Sequence, residues 1–203
     1  RVILSFFTTI LTFKYTTIVN AMNPLPYHHL FDGTFRNPPG SPIREVTRTS
    51  HSRGFFYFFY KGIIRKEIFG QKEIPDNIPS DHQIPEQQAL EQFYSNKDEV
   101  SVTWLGHACF LVKLGNTNLL TDPFLSKTAG VLGIGPSRYM PAGITVENLP
   151  KIDTIVISHN HYDHLDITTL KHLKNKNHIS IICPLKLSKI FYNLGYKKVI
   201  ELD

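Results

Sequence analysis

The second half of the chain alternates short apolar runs with polar turns, a pattern that the first hundred residues lack. The runs at 100–105 and 109–114 predict two strands. The dipeptide Gly115-Asn116 is typical of a two-residue hairpin turn, so it predicts that the second strand pairs with a third at 118–121. This third strand is predicted to end at Asp122.

Further along the chain, strands and helices are predicted to alternate. Residues 124–150 are rich in glycine and proline, which indicates a long loop of the kind that tends to be functional. The apolar run 151–158 predicts a buried strand, and Asp166 is a typical N-cap for a helix reaching about residue 174. A strand, a helix and a strand are predicted next, at 178–183, 184–194 and 197–202. This alternation indicates a mixed α/β layered fold.

The first hundred residues predict three segments of different character. Residues 24–53 are rich in proline and glycine and predict an irregular arm, whereas the polar residues 70–98 predict a linker crossing the surface. Residues 54–69, between them, are aromatic and apolar and predict a helix. Four phenylalanines of this helix either pack in the core or face a membrane surface; they are Phe55, Phe56, Phe58 and Phe59.

An apolar run at residues 2–13 follows Arg1 and is too short to span a bilayer. It is either the hydrophobic region of a signal peptide or upstream translation before a start at Met22. We therefore divide the chain into a leader (1–22), an arm with helix and linker (23–98) and a layered domain (99–203). The compartment stays open: cytoplasmic, peripheral to a membrane, or secreted if the leader is a signal peptide.

Composition narrows the class of protein only a little. Of the 203 residues, 41% are hydrophobic, which is enough to build a core. The net charge of +5 fits an anionic partner such as a phospholipid surface, and it equally fits an ordinary basic enzyme. The two cysteines, Cys109 and Cys183, lie far apart in apolar runs and predict buried free thiols.

The candidate chemistry directly follows the strand predicted at 151–158. His159 and His161 are two positions apart, so in extended chain their side chains point to the same side. Asp163 and His164 occupy the turn before the next helix, at the carboxyl end of a buried strand, where open α/β sheets place their ligand sites. Imidazole nitrogen and carboxylate oxygen are ligands that suit zinc. The four residues together predict a zinc site.

Residues 158–166, SHNHYDHLD, resemble the signature of the metallo-β-lactamase superfamily. Residues 103–108 (TWLGHA) and 119–123 (LLTDP) resemble the branch that contains N-acylphosphatidylethanolamine-hydrolysing phospholipase D and its bacterial relatives. The arm at 31–40 (FDGTFRNPPG) and the loop segments at 135–136 and 141–144 also resemble this branch. The resemblance covers about residues 27–203. It implies an α/β fold, a four-layer αββα sandwich of which the chain carries the first half.

The resemblance implies a role for each residue of the motif. His159 and His161 would hold a first zinc ion, and Asp163 and His164 a second, each completed by ligands further along the family's sequence. Asp163 would also be catalytic, accepting a proton as zinc-activated water attacks phosphorus or a carbonyl carbon.

Two residues outside the motif are implicated in the same way. Asp122 would orient a metal-bound histidine, and the alternative is a simple turn residue before Pro123. His107 would face the mouth of the site, and the alternative is a core histidine with satisfied hydrogen bonds.

Three functions fit these observations. The first is a zinc phosphodiesterase of phospholipase D type, which releases a fatty acid amide and phosphatidic acid from N-acylphosphatidylethanolamine-like lipids. Its partners would be a phospholipid or other phosphodiester substrate and a membrane surface contacted peripherally, but no nucleic acid. The second is a soluble lactonase or sugar-phosphate hydrolase of the same fold. The third is a truncated, non-catalytic module.

The third interpretation rests on where the sequence stops. It ends at Asp203, before the later ligands of the family, so each zinc ion would have only two ligands from this chain. A catalytic zinc needs three protein ligands and an open position. We therefore expect that these 203 residues alone are not a competent hydrolase, and that apolar surface and a sheet edge are left exposed.

Overall fold

The computed structural model describes residues 26–42, 57, 60, 79–130 and 135–203. The chain divides into two compact units, Arg1–His51 and Ser52–Asp203. In the first unit, residues 26–42 form the irregular chain expected of the arm, with an isolated bridge between His29 and Phe35. The division into leader, arm and layered domain stays a prediction.

Most of the predicted aromatic helix at 54–69 lies outside the described residues. Within it only Tyr57 and Tyr60 are described, and both are exposed. The role of the four phenylalanines therefore stays a prediction, and the leader at 1–22 also lies outside the described residues. In the described part of the chain, no helix has the length and apolar character needed to cross a membrane.

The second unit contains a mixed six-stranded sheet. Its strands are β1 (Val100–Gly106), β2 (Cys109–Leu114), β3 (Thr117–Thr121), β4 (Thr154–Val156), β5 (Ser180–Pro184) and β6 (Lys198–Leu202). They lie side by side in chain order, antiparallel from β1 to β3 and parallel from β3 to β6. The predicted hairpin and the predicted mixed α/β fold are confirmed.

Helices cover one face of this sheet. They are α1 (Glu86–Ser95), α2 (Ile167–His172) and α3 (Ser188–Asn193). Side chains alternate between the faces of a strand, so one residue in two from each strand points towards these helices. The resulting core joins strand residues such as Leu120 and Ile181 to helix residues such as Leu170 and Phe191, all fully buried.

Both cysteines are free and buried in this core, as predicted. Burial raises the pKa of the Cys109 thiol to about 12 and that of the Cys183 thiol to about 11. Thiols held in the protonated form are poor nucleophiles and poor metal ligands, so neither cysteine belongs to the candidate site.

The prediction of a surface linker at 70–98 is wrong for its second half, because helix α1 occupies Glu86–Ser95. Its sequence is rich in good helix formers, and Pro85 directly before it supplies the fixed φ that suits a helix start. Phe93 is buried in the core, and Glu86 accepts hydrogen bonds from the backbone N–H and the hydroxyl of Thr145. These bonds lower the pKa of the Glu86 carboxyl. The spacing of the prolines suggested a linker and gave no indication of this packed helix.

Three further predicted elements are shorter in the structure than in the sequence analysis. The strand at 151–158 is Thr154–Val156, although Ile157 still donates its N–H to the Ile182 carbonyl at 2.9 Å, so extended chain continues past the strand end. Asp166 caps α2 as predicted, by accepting from the N–H of Thr168, but α2 ends at His172. The predicted helix at 184–194 begins only at Ser188, because Lys186 has a left-handed φ of 69°.

The opposite face of the sheet is apolar, and no helix in the described part of the chain covers it. Trp104 on β1 is 65% exposed, and other apolar residues of this face are exposed as well. They are Val100, Val102, Phe110, Leu114, Ile200 and Leu202. Contiguous apolar surface of this kind marks an interaction site or an aggregation risk. The exposed apolar surface expected from the sequence is thus present.

We predict that the 203-residue chain self-associates through this face at micromolar concentration. Replacing both Val102 and Leu114 with lysine should shift the sedimentation profile towards monomer, because two charges interrupt the apolar surface. A matched control replaces Ile167 and Tyr192, which are exposed on α2 and α3, with lysine. Equal sedimentation of the two double variants would rule out a special role for this face.

Candidate metal centre

The candidate site lies where β3 and β4 end next to each other. These strands are parallel, with Thr121 beside Val156, so the residues that follow them emerge at the same edge of the sheet. Asp122 follows β3 and donates its N–H to the Val156 carbonyl at 2.9 Å. Ser158 and His159 follow β4. Sheet pairing therefore brings together residues that are more than thirty positions apart in sequence.

The carboxylate of Asp122 is the centre of a hydrogen-bond network. Its Oδ1 accepts the N–H of Ser158 at 2.7 Å, and its Oδ2 accepts the Ser158 hydroxyl at 2.7 Å. Nδ1 of His164 lies 2.9 Å from the same Oδ2. Asp122 is buried and has a left-handed φ of 35°, which a simple turn residue does not need. These contacts are the ones that an orienting role would require, and the role itself stays a prediction.

This network determines which ring nitrogens of two histidines are available to a metal. An ionised carboxylate only accepts hydrogen bonds, so Nδ1 of His164 carries the proton and Nε2 keeps its lone pair. The Ser158 hydroxyl donates its proton to Asp122 and so accepts one from Nδ1 of His159, 2.8 Å away. His159 therefore also keeps its lone pair on Nε2. Both tautomers are those of metal-binding histidines.

His161 lies beside His159, as the two-residue spacing predicted. Nδ1 of His161 is 3.0 Å from Nε2 of His159, and the rings are 4.6 Å apart between centroids. The His159 and His164 rings are 4.0 Å apart. The three imidazoles thus form one group at the strand end.

Asp163 faces a histidine from a different part of the chain. Its Oδ2 is 3.0 Å from Nε2 of His107 and 3.8 Å from Nε2 of His164. One potential ligand atom from each of these three residues lies within 4.8 Å of the other two. His107 is exposed at the site, so the alternative of a core histidine is wrong.

The donor set suits a divalent metal ion. Zinc binds imidazole nitrogen and carboxylate oxygen at about 2.0–2.2 Å, which places neighbouring ligands of a tetrahedral ion about 3.3 Å apart. The observed separations of 3.0 Å between His159 and His161, and of 3.0 and 3.8 Å around Asp163, are close to that value. These residues are therefore close enough together to hold a metal ion, while the assignment of His159, His161, Asp163 and His164 as its ligands stays a prediction.

Two residues of this region received no role from the sequence. Ser158 was noted only as part of the motif, yet its hydroxyl relays the Asp122 hydrogen bond to His159. Arg138, in the long loop, donates through Nη2 to the Leu105 carbonyl at 3.1 Å and through Nη1 to the Phe124 carbonyl. A side chain on Gly106 would collide with Nη2 of this guanidinium. Arg138 therefore fixes the turn that carries His107.

A cavity of about 1610 Å³ extends from the site along the edge strand β1 to helix α1. Polar groups of the metal centre line one end of it; they are His107, Asn160, His161 and Asp163. Most of the remaining lining residues are apolar or aromatic, such as Ile84, Phe93, Trp104, Tyr139 and Met140, and polar residues such as Asp81 and Gln92 lie among them. The cavity exceeds the roughly 300–1,000 Å³ typical of small-molecule pockets.

This fold and site define the class of protein. Residues 117–201 match the family described as the β-lactamase superfamily domain. This part of the chain is therefore similar to a domain of that superfamily, and the fold expected from the resemblance is confirmed.

Among curated proteins, the chain is 36% identical over 127 residues to N-acyl-phosphatidylethanolamine-hydrolyzing phospholipase D 1 of Caenorhabditis elegans, covering 59% of this chain and 36% of that protein. It is 35% identical over 117 residues to the mitochondrial N-acyl-phosphatidylethanolamine-hydrolyzing phospholipase D of Saccharomyces cerevisiae. This match covers 57% of this chain and 25% of the yeast protein. It is also 34% identical over 173 residues to the cytidine monophosphate-N-acetylneuraminic acid hydroxylase of Cricetulus griseus. This match covers 80% of this chain and 26% of the hydroxylase. The chain thus spans well under half the length of these relatives.

We predict that Asp122→Asn lowers zinc affinity by about 10–100-fold, the usual cost of losing an orienting partner. Asparagine has one acceptor oxygen where aspartate has two, and that oxygen is needed by the Ser158 N–H at the Oδ1 position. The amide NH₂ then faces His164, so the proton of His164 should move to Nε2, the nitrogen that the metal requires. Competition with a chromophoric chelator measures the affinity, and long-range ¹H–¹⁵N correlation of the histidine rings reports the tautomer.

Asp153→Asn is the matched control for this experiment. Asp153 is a partly buried carboxylate near the start of β4, where it accepts from the N–H of Asn118 and pairs with Lys151. Its substitution should leave zinc affinity and the His164 tautomer unchanged. Unaltered affinity in Asp122→Asn would contradict the orienting role.

Proposed function

We propose that the protein is a zinc-dependent phosphodiesterase of phospholipase D type that acts on N-acylphosphatidylethanolamine-like lipids. The observation that carries the proposal is the continuity of the metal-binding group with a large, apolar-walled cavity. An amphipathic lipid has a charged phosphodiester for the polar end and acyl chains for the apolar wall. The similarity to two phospholipases D of this specificity supports the same substrate class.

In this proposal the ligand group is His159, His161, Asp163 and His164. Zinc bound there would supply an activated water at neutral pH and neutralise charge that develops on the phosphoryl oxygens. Asp122 and Ser158 keep Nε2 of His164 and of His159 unprotonated, so both rings are ready to bind.

The reaction is hydrolysis of one phosphodiester bond. The oxygen of water forms a bond to phosphorus as the bond from phosphorus to the N-acylethanolamine oxygen breaks. Asp163 lies at the polar end of the cavity and accepts the proton of the attacking water. The departing alkoxide takes up a proton, and the products are N-acylethanolamine and phosphatidic acid. Apolar side chains such as Trp104 and Met140 would hold the acyl chains and exclude water.

A second candidate function has its own supporting observation. His107, Asp163 and His164 are two imidazoles and one carboxylate, a set that also suits non-haem iron. The similarity to a hydroxylase covers 80% of this chain. An iron-dependent hydroxylase would require iron and oxygen for turnover, whereas the proposed phosphodiesterase requires zinc and water alone.

We predict that His161→Ala removes most of the bound zinc and lowers phosphodiester turnover by at least about 100-fold, because a direct ligand should matter more than its orienting partners. Elemental analysis measures the metal, and release of phosphatidic acid from N-acylphosphatidylethanolamine in mixed micelles measures turnover. His172→Ala is the matched control, since His172 is exposed on α2 and its ring bonds the Thr168 carbonyl of the same helix.

The assay should also include a lactone, a sugar phosphate and a soluble phosphodiester. We expect the lipid to be the preferred substrate. Preference for the lactone or sugar phosphate would favour the soluble hydrolase, and iron-dependent turnover would favour the hydroxylase. Retention of two zinc ions by His161→Ala would contradict the ligand assignment.

A further inference from the structure

We propose that His107 is a direct metal ligand, which completes a three-residue set with Asp163 and His164. The inference rests on the proposed metal dependence of the function. The sequence assigned His107 only to the mouth of the site, whereas in the structure its Nε2 is 3.0 Å from Oδ2 of Asp163. The rings of His107 and His164 are 5.1 Å apart between centroids.

The separations among the three residues fit a single ion. Ligands of a tetrahedral zinc lie about 3.3 Å from one another. Oδ2 of Asp163 is 3.0 Å from His107 and 3.8 Å from Nε2 of His164, and each residue offers an atom within 4.8 Å of the others. Small side-chain rotations are enough to direct all three at one point.

The backbone holds His107 in a conformation that an ordinary histidine rarely adopts. Its φ is 53°, directly after Gly106 with a φ of 103°. Left-handed residues other than glycine cost energy and concentrate at functional sites. The indole N–H of Trp104 donates to the His107 carbonyl at 2.8 Å, and Arg138 bonds the Leu105 carbonyl on the other side of the turn. The turn is therefore fixed from both sides, with the imidazole directed at Asp163.

A third ligand changes how tightly these 203 residues can bind a metal ion. With two ligands per ion, the sequence predicted that neither zinc is held well enough for catalysis. His107 supplies the third protein ligand that a catalytic zinc requires. It also comes from the β1–β2 turn, so the ligand set joins the antiparallel and the parallel parts of the sheet. We therefore expect the 203-residue chain to bind one ion tightly.

Two variants of His107, nearly isosteric with each other, distinguish a metal ligand from a residue that only hydrogen-bonds to Asp163. Asparagine and aspartate both tolerate a left-handed φ, so His107→Asn and His107→Asp should keep the turn. The amide of asparagine can still donate a hydrogen bond to Asp163 but binds metal poorly. The carboxylate of aspartate can bind metal but repels Asp163 when no cation lies between them.

The experiment titrates Co²⁺ into the 203-residue chain and follows its visible absorption and the heat of binding. We expect His107→Asn to weaken binding by at least about 100-fold and to change the absorption bands, because losing a ligand should exceed the 10–100-fold cost of losing an orienting partner. His107→Asp should bind within about 10-fold of the wild type. Wild-type affinity and spectrum in His107→Asn, with weaker binding by His107→Asp, would overturn the proposal.

A second measurement uses the wild-type chain, so it tests the proposal even if the His107 variants fail to fold. In the wild-type chain labelled with ¹⁵N-histidine, zinc should shift the Nε2 resonances of His107 and His164 together. A shift of His164 without His107 would overturn the ligand assignment and leave the proposed function standing. Zinc-loaded protein that shifts both resonances but hydrolyses no phosphodiester would overturn the function and leave the ligand standing.

Discussion

The structure of the site depends on one buried carboxylate. Asp122 accepts hydrogen bonds from the N–H and the hydroxyl of Ser158 and from Nδ1 of His164, and so ties the end of β3 to the chain that follows β4. Burying a charge is costly unless it is well bonded, and these contacts meet that requirement. The same bonds set the tautomers of His164 and, through Ser158, of His159. The Asp122 carboxylate therefore both stabilises the sheet edge and orients the two histidine rings for metal binding.

The remaining architecture positions that carboxylate next to a large cavity. Parallel pairing of β3 with β4 places Asp122 beside Ser158, and Asp166 caps α2 so that the motif ends in a defined turn. Arg138 closes the long loop onto the β1–β2 turn. The cavity then runs from this edge to α1, with metal-binding groups at one end and an apolar wall along its length. This polarity is the basis of the proposal that the substrate is an amphipathic lipid.

The local sequence pattern was sufficient to predict the motif and most strands, because hairpin turns, N-caps and apolar alternation are encoded within a few residues. The His159–His164 cluster was predicted as a group for the same reason. The relay through Ser158 and the approach of His107 to Asp163 could not be predicted, since both depend on which strands become neighbours. Helix α1 was missed because its flanking prolines suggested a linker, whereas Phe93 packs in a core that only the folded chain provides.

In the proposed metal site, Asp122 presents Nε2 of His164 to the ion. The most direct test is a crystal structure of the zinc-loaded chain with anomalous diffraction at the zinc edge. We expect an anomalous peak about 2.0–2.1 Å from Nε2 of His164, with Nδ1 still bonded to Asp122. A peak bonded to Nδ1 of His164, or zinc bound only away from His159, His161, Asp163 and His164, would contradict it.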